Sequence, residues 1–194
     1  MDALRNSPPI REIAVAGNFT DTIRHMAAEL PGLVVVDLEL PGLGGLAGLV
    51  ELVTQSGRAR VVALADGHPP AIHLQARICG VAGLIDKADD KDRIHRTIGM
   101  VLRGGLGFPD TMAVPYAPAT APQVVLTTKQ LRVLALLMRG KSNKQIAKDL
   151  ELSPNTVKAH VSEIFRRLGV STRAEAIVLA HEPLSPRSAM PLYQ

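Results

Sequence analysis

The sequence predicts two units in series, an α/β unit on a parallel sheet and then an all-α unit of four short helices. Three observations predict it. Over residues 10–106 short Val- and Ile-rich runs alternate with helical segments, the pattern of parallel strands joined by helical crossovers. From Phe108 to Gln123 the period is lost and prolines stand at 109, 115, 118 and 122, as in an extended, semi-rigid connector. Beyond it, residues 126–180 show capped, amphipathic segments of helical spacing with an excess of cations.

In the α/β unit the order is strand Ile13 to Ala16 and helix Thr20 to Leu30, then strand Leu33 to Asp37 and helix Gly45 to Thr54. Strand Arg60 to Ala65 and helix Ala71 to Gly80 follow, and strand Gly83 to Ile85 leads to helix Lys91 to Arg103. Ligands on such sheets bind at the carboxyl ends of the strands. Two residues stand there. Asp37 ends VVVD before the proline- and glycine-rich LELPGLGG, and Lys87 follows AGLID. A carboxylate facing a lysine beside free turn amides has the chemistry to accept and hold a phosphoryl group. An aspartate at a strand end is also an ordinary helix cap or solvated turn residue.

In the helical unit, Thr127 or Thr128 can cap a helix with Leu131, Leu134, Leu137 and Met138 on one face, stopped by Gly140. A second helix starts at about Asn143, with Ile146, Ala147 and Leu150 inward. Ser153-Pro154 then supplies an N-cap and a proline at the first helical position. The third helix runs to about Leu168 and closes at Gly169, with Val157, Val161, Ile164, Phe165 and Leu168 inward. Lys158, Ala159, Ser162, Arg166 and Asn155 therefore point elsewhere. Small residues near the helix start allow close approach to base edges in a major groove, and a lysine can donate to guanine O6 and N7. Hydroxyls and amides at a helix start bind phosphates, which nominates Ser153, Asn155 and Thr156, with Lys144 on the other side of the groove. The competing reading is a plain helical bundle with a solvated basic face.

Charge separates the units. Residues 125–182 hold ten Lys plus Arg against five Asp plus Glu, a balance of +5, whereas residues 1–124 hold eleven against thirteen, or −2. A basic module that meets phosphates is thus joined to a near-neutral one. The single cysteine, Cys79, lies in an apolar stretch and reads as a buried thiol. The apolar runs are strand-sized and no signal peptide is evident, so a cytoplasmic protein without a membrane span is expected. The six histidines form no metal-spaced cluster, and PGLGGLAG lacks the lysine of a phosphate-binding loop. An enzyme is not expected, nor a metal or cofactor.

The run GKSNKQIAKDLELSPNTVKAHVSEIFRRLGVSTRAEA resembles the C-terminal domain of LuxR-type (NarL-like) transcription regulators, without a gap over about fifty residues. The resemblance implies base contacts from Lys158, Ala159 and Ser162, and backbone contacts from Lys144, Thr156 and the Arg166 and Arg167 region. It also implies a dimer seam that includes Ala176, Val178 and Leu179. Gln130 departs from the usual glutamate, with the expected loss of a helix-start ion pair or cap. VVVDLELPGLGG, RVVALAD and CGVAGLIDK resemble the corresponding segments of response-regulator receiver domains. Asp37 then matches the phosphoacceptor and Lys87 the phosphate-binding lysine, but Ala65 replaces the usual Ser or Thr, and Leu84 the usual aromatic switch residue.

Receivers also carry an acidic pair at the end of a first strand, farther upstream than the thirty-six residues before Asp37 allow. The expectation is a truncated flavodoxin-like receiver lacking that strand, its helix and the acidic pair. Because Mg²⁺ needs about six oxygen ligands, Asp37 with Glu39 or Asp66 is a poor substitute for three convergent carboxylates. Ile13 to Ala16 is expected to move beside Leu33 to Val36 in a four-stranded sheet, unless another subunit fills the gap. The resulting layout is a receiver-like domain over 1–106, a linker over 107–123, a helix-turn-helix domain over 124–182 and a tail over 183–194. The expected function is sequence-specific binding of double-stranded DNA as a homodimer, controlled through assembly, a protein or a ligand. The alternatives are a regulator that titrates another response regulator or kinase, and a phosphorylatable regulator using Asp37.

Overall fold

The computed structural model describes residues 12–67, 70–108 and 126–181. The expected tail and all of the linker beyond Phe108 lie outside the described residues, as does His68. In the first unit α1 (Phe19–Glu29), β1 (Leu33–Asp37), α2 (Leu46–Gln55), β2 (Arg60–Ala65), α3 (Pro70–Ile78), β3 (Gly83–Asp86) and α4 (Lys91–Leu102) follow in order. The second unit holds α5 (Thr128–Met138), α6 (Asn143–Asp149), α7 (Pro154–Leu168) and α8 (Arg173–His181).

Local chemistry accounts for many of these boundaries. The Asn18 side chain accepts the Asp21 amide at 2.9 Å and starts α1, while Leu30 ends it in a left-handed turn. Asp90 caps α4 by accepting the Arg93 amide at 2.7 Å. Before α2 the LPGLGG turn places Gly42, Gly44 and Gly45 at positive φ, where a side chain is strained.

The sheet is parallel with order β1-β2-β3, Val35 lying beside Val62 and Leu64 beside Ile85. Strand period divides its side chains between two cores. Val34, Val36, Val61, Ala63 and Leu84 join α2 and α3 in the larger one. On the other face Val62, Ala82 and Ile85 meet Val101 of α4 and the partly buried Ile94 and Ile98. Beyond β3 a bridge joins Gly83 to Gly107, with the Leu84 amide donating to Gly107 O at 2.9 Å.

The fourth strand is a correction. Ile13–Ala16 forms no strand and pairs with no described residue, and Ile13 and Val15 are 75% and 84% exposed. The reason lies in how α1 is anchored. It packs on α2, and its first residue is tied beyond the end of β1 by Phe19 N–H donating to Pro41 O at 2.9 Å. Alternating apolar residues supply strand propensity, but pairing requires an edge within reach. The outer edge of β1 is consequently unpaired among the described residues, with Val35 44% exposed on the sheet face that carries α4.

The helical unit does not stand apart. α5 and α8 both pack on α2, and α7 touches α3. The Leu126 amide donates to Ile78 O at 3.1 Å, so the chain entering α5 is fastened to the end of α3. One apolar cluster runs from Leu46 and Leu49 of α2 through to Leu134, Ile146 and Ile164. Cys79 is fully buried, and burial pushes its thiol pKa well above the ordinary value.

Candidate nucleic-acid interface

The interface is built outward from the core of α5 to α8. Thr127 caps α5 through a reciprocal pair: the Gln130 amide donates to the Thr127 hydroxyl at 3.3 Å and the Thr127 amide to Gln130 Oε1 at 2.9 Å. The expected loss at Gln130 is therefore corrected, because a neutral amide oxygen closes the box as a carboxylate would. Ser142 and Gln145 repeat the device at α6. Ser153 caps α7 by accepting the Thr156 amide at 3.0 Å, with proline in the first turn and Gly169 closing the helix at φ 69°.

These caps fix which face of α7 looks out. Val157, Ile164 and Leu168 are buried, whereas Asn155, Thr156, Lys158, Ala159 and Ser162 are exposed. Lys158 has no hydrogen bond or ion pair with any described residue. Lys144, near the start of α6, is exposed too. All of this holds with the helical unit packed on α2, and among the described residues the outward face of α7 is open.

Two residues absent from the sequence reading shape this surface. Arg173 donates from Nη2 to Lys141 O at 2.5 Å and to Leu137 O at 3.0 Å, fastening α8 to the turn after α5. Glu163 accepts Arg166 Nε and Nη2 at 2.9 and 2.7 Å and Arg167 Nε at 2.6 Å. The two guanidiniums, Arg166 first, hold its carboxyl down at about 2. Its spacing of three and four residues from the arginines is the signal that would have revealed it. The three seam residues are divided: Ala176 is fully buried within the chain, Leu179 packs partly against its core, and Val178 is 60% exposed.

At the carboxyl ends of the strands Asp37 and Lys87 do meet. Lys87 Nζ lies 3.0 Å from Asp37 Oδ2 and 2.8 Å from Glu39 Oε2, and Asp37 Oδ1 accepts the Glu39 amide at 2.9 Å. The hydrogen bonds to Glu39 and then to Asp37 raise the Lys87 pKa well above its ordinary value. Ala65 is buried and offers no hydroxyl, and Leu84 is buried too. Among the described residues no group of three or more His, Cys, Asp or Glu is placed to hold a metal ion. The donor set does not fit Mg²⁺, since both carboxylates flanking the site share one ammonium instead of converging on open space.

A capped helix-turn-helix presented by an α/β unit with receiver-like strand ends defines a class, the two-domain bacterial transcription regulator. The chain belongs to the LuxR family of bacterial regulatory proteins, whose family model matches residues 124–180. It is 35% identical to the glycerol metabolism activator of Pseudomonas putida over 76% of this chain and 72% of that protein. To the fimbriae Z protein of Salmonella typhimurium it is 31% identical, over 78% and 76%. Among solved structures, a LuxR-family two-component response regulator from Aurantimonas sp. superposes with a TM-score of 0.50 at 25% identity, covering 57% of this chain and 79% of that one. The RcsB response regulator of Salmonella typhimurium shares the fold, with a TM-score of 0.50 at 18% identity over 91% and 88%. The family consists of transcription regulators, not enzymes. No helix among the described residues is long and apolar enough to cross a membrane.

Proposed function

We propose that this LuxR-family regulator binds double-stranded DNA sequence-specifically in the cytoplasm, as a dimer, and is controlled without conventional aspartyl phosphorylation. The observation that carries the DNA reading is the open face of α7, with Lys158, Ala159 and Ser162 exposed and Lys158 unpaired among the described residues. Ser153, Asn155 and Thr156 then meet phosphates at the helix start, Lys144 holds the other wall of the groove, and Arg166 and Arg167 serve the backbone farther along. The domain limits we assign are 1–106, 124–182 and a connector over 107–123.

The test is a gel shift over a pool of genomic fragments at two salt concentrations. Sequence-selective, salt-sensitive retention is the expected result, and no retention at either salt overturns the reading. Lys158→Ala should cost about 1 to 3 kcal/mol on the selected site and relax one base preference. Lys144→Ala should weaken binding on every sequence alike, with a flatter salt dependence.

Control independent of phosphate rests on the Asp37–Lys87–Glu39 arrangement and the buried Ala65. Incubation with acetyl phosphate and Mg²⁺, read by intact mass, should leave the chain unmodified. A stoichiometric adduct that disappears in Asp37→Asn would establish Asp37 as a working phosphoacceptor. The open edge of β1 with Val35 exposed favours a second reading, in which a protein partner docks on the α/β unit and the chain titrates another regulator. Stable capture of that regulator with no retention of DNA would favour it.

A further inference from the structure

The C-terminal half of α7 carries more than phosphate contacts. Glu163 is the only acidic residue in α7, and it is committed to both of that helix's arginines. Arg166 is gripped through Nε and Nη2 although its side chain is 71% exposed, and Arg167 is held through Nε with 21% exposure. Arg166 lies eight residues after Lys158, which is about 12 Å along a helix axis. A major groove is about 12 Å wide. When the start of α7 is at the base edges, Arg166, about 80° round the helix from Lys158, is the arginine placed to reach the phosphate wall of the groove, while Arg167, half a turn from Lys158 and 21% exposed, lies farther from it.

Two uncompensated positive charges at this end of α7 would draw the protein to any DNA, because phosphate attraction carries no sequence information. With Glu163 between them the trio has a net charge of one rather than two. The carboxylate also restrains Arg166, the more exposed guanidinium, from reaching for whichever phosphate is nearest. We propose that Glu163 is a positioning residue that restrains Arg166 and Arg167, limits sequence-blind attraction to DNA and so widens the gap between operator and random sequence. The proposal rests on the DNA-binding reading above and deepens it. Lys158, Ala159 and Ser162 supply discrimination, while Glu163 lowers the background against which discrimination is measured.

The test compares the full chain with Glu163→Gln on two probes, a fragment selected from the genomic pool and a scrambled duplex of equal length, across a salt series. Removing one negative charge should add about one phosphate neutralised, making the slope of log affinity against log salt steeper by about 0.9. Between about 50 and 200 mM salt the variant should then lose about threefold more affinity than the parent. At the low-salt end the scrambled duplex should gain more than the selected one, narrowing the ratio between them. Glu163→Asp should restore part of the ratio, and Glu163→Gln with Arg166→Gln should return the slope to that of the parent. Thermal unfolding of each variant checks that α7 is intact, and a purely structural role would move that transition without moving the slope.

An unchanged slope and ratio in a folded Glu163→Gln variant overturns the proposal. Weaker binding with a shallower slope also overturns it, since Glu163 would then be aiming the arginines at DNA. If the parent itself retains neither probe at any salt, the DNA-binding reading fails, and this inference with it.

Discussion

Gly48 shows how little latitude a single position can have. A Cβ built there would lie 1.5 Å from the Leu43 carbonyl oxygen, which is backbone and cannot swing aside. Gly48→Ala should therefore separate α2 from the turn before it, at a cost of about 3 kcal/mol or more by chemical denaturation, at the upper end for overpacking. Caps act more gently. Ser153→Ala removes the acceptor for the Thr156 amide and should cost about 1 kcal/mol. Lys87 sets a pH dependence whose sign follows from its pKa, raised by Glu39 and Asp37. The stability it adds is fully present below the ordinary lysine value of 10.5 and is lost as pH rises through the higher folded value. The stability difference between the parent and Lys87→Met should stay flat from about pH 7 to 10 and shrink in stronger alkali. The Ser153 cap was legible in the sequence because it acts within three positions. Gln130 was legible in place but not in consequence: its burial under a reciprocal cap needed the fold to show that no charge was missing.

Among the elements, the segment Ile13–Ala16 and α8 depart most from what their sequences suggest. β1 is all apolar before Asp37 and carries no lysine, proline or bulge to protect the edge left open among the described residues, the usual devices against edge pairing. Val35→Lys should reduce concentration-dependent self-association in light scattering while changing stability by less than about 0.5 kcal/mol. Ile13–Ala16 has the composition of a strand yet is unpaired among the described residues, because pairing is a property of two segments and an available edge. α8 has a weak apolar stripe, and its placement depends on Arg173 gripping one carbonyl in the last turn of α5 and one in the turn after it. Arg173→Ala should destabilise the helical unit by about 2 to 3 kcal/mol, seen as loss of helicity at a lower denaturant concentration. Apart from Ile13–Ala16, the strands and helices themselves were read within a few residues of where they stand, since both periods are local. Which face of α8 is hidden was not, because Ala176 is buried through packing brought together from elsewhere in the chain.

At the scale of the whole molecule α2 is shared. It closes one face of the sheet and receives α5 and α8 on its other side, so the apolar cluster is continuous across both units. Arg139 and Glu51 join the units at 2.6 Å, but their side chains are 55% and 29% exposed, and an exposed pair adds less than about 1 kcal/mol. Burial around α2 is the larger force. Heating should accordingly give one cooperative transition for the two units rather than two, read by calorimetry and by circular dichroism at once. Two resolved transitions would show that the shared core does not couple them. Among the described residues the outward face of α7 stays open while α8 is engaged with α2.

By itself the sequence determined the four helices of the basic module, the outward set Lys158, Ala159 and Ser162, and the meeting of Asp37 with Lys87 at the strand ends. Caps, glycine stops and the 3.6-residue period act over one or two turns, and a strand's direction places its last residue. Only the tertiary structure decided that three strands pair among the described residues, that Lys87 is shared between two carboxylates, and that α2 unites the halves. Each of these depends on distances between groups positioned by separate elements or by rotamer choice, which no short-range pattern specifies.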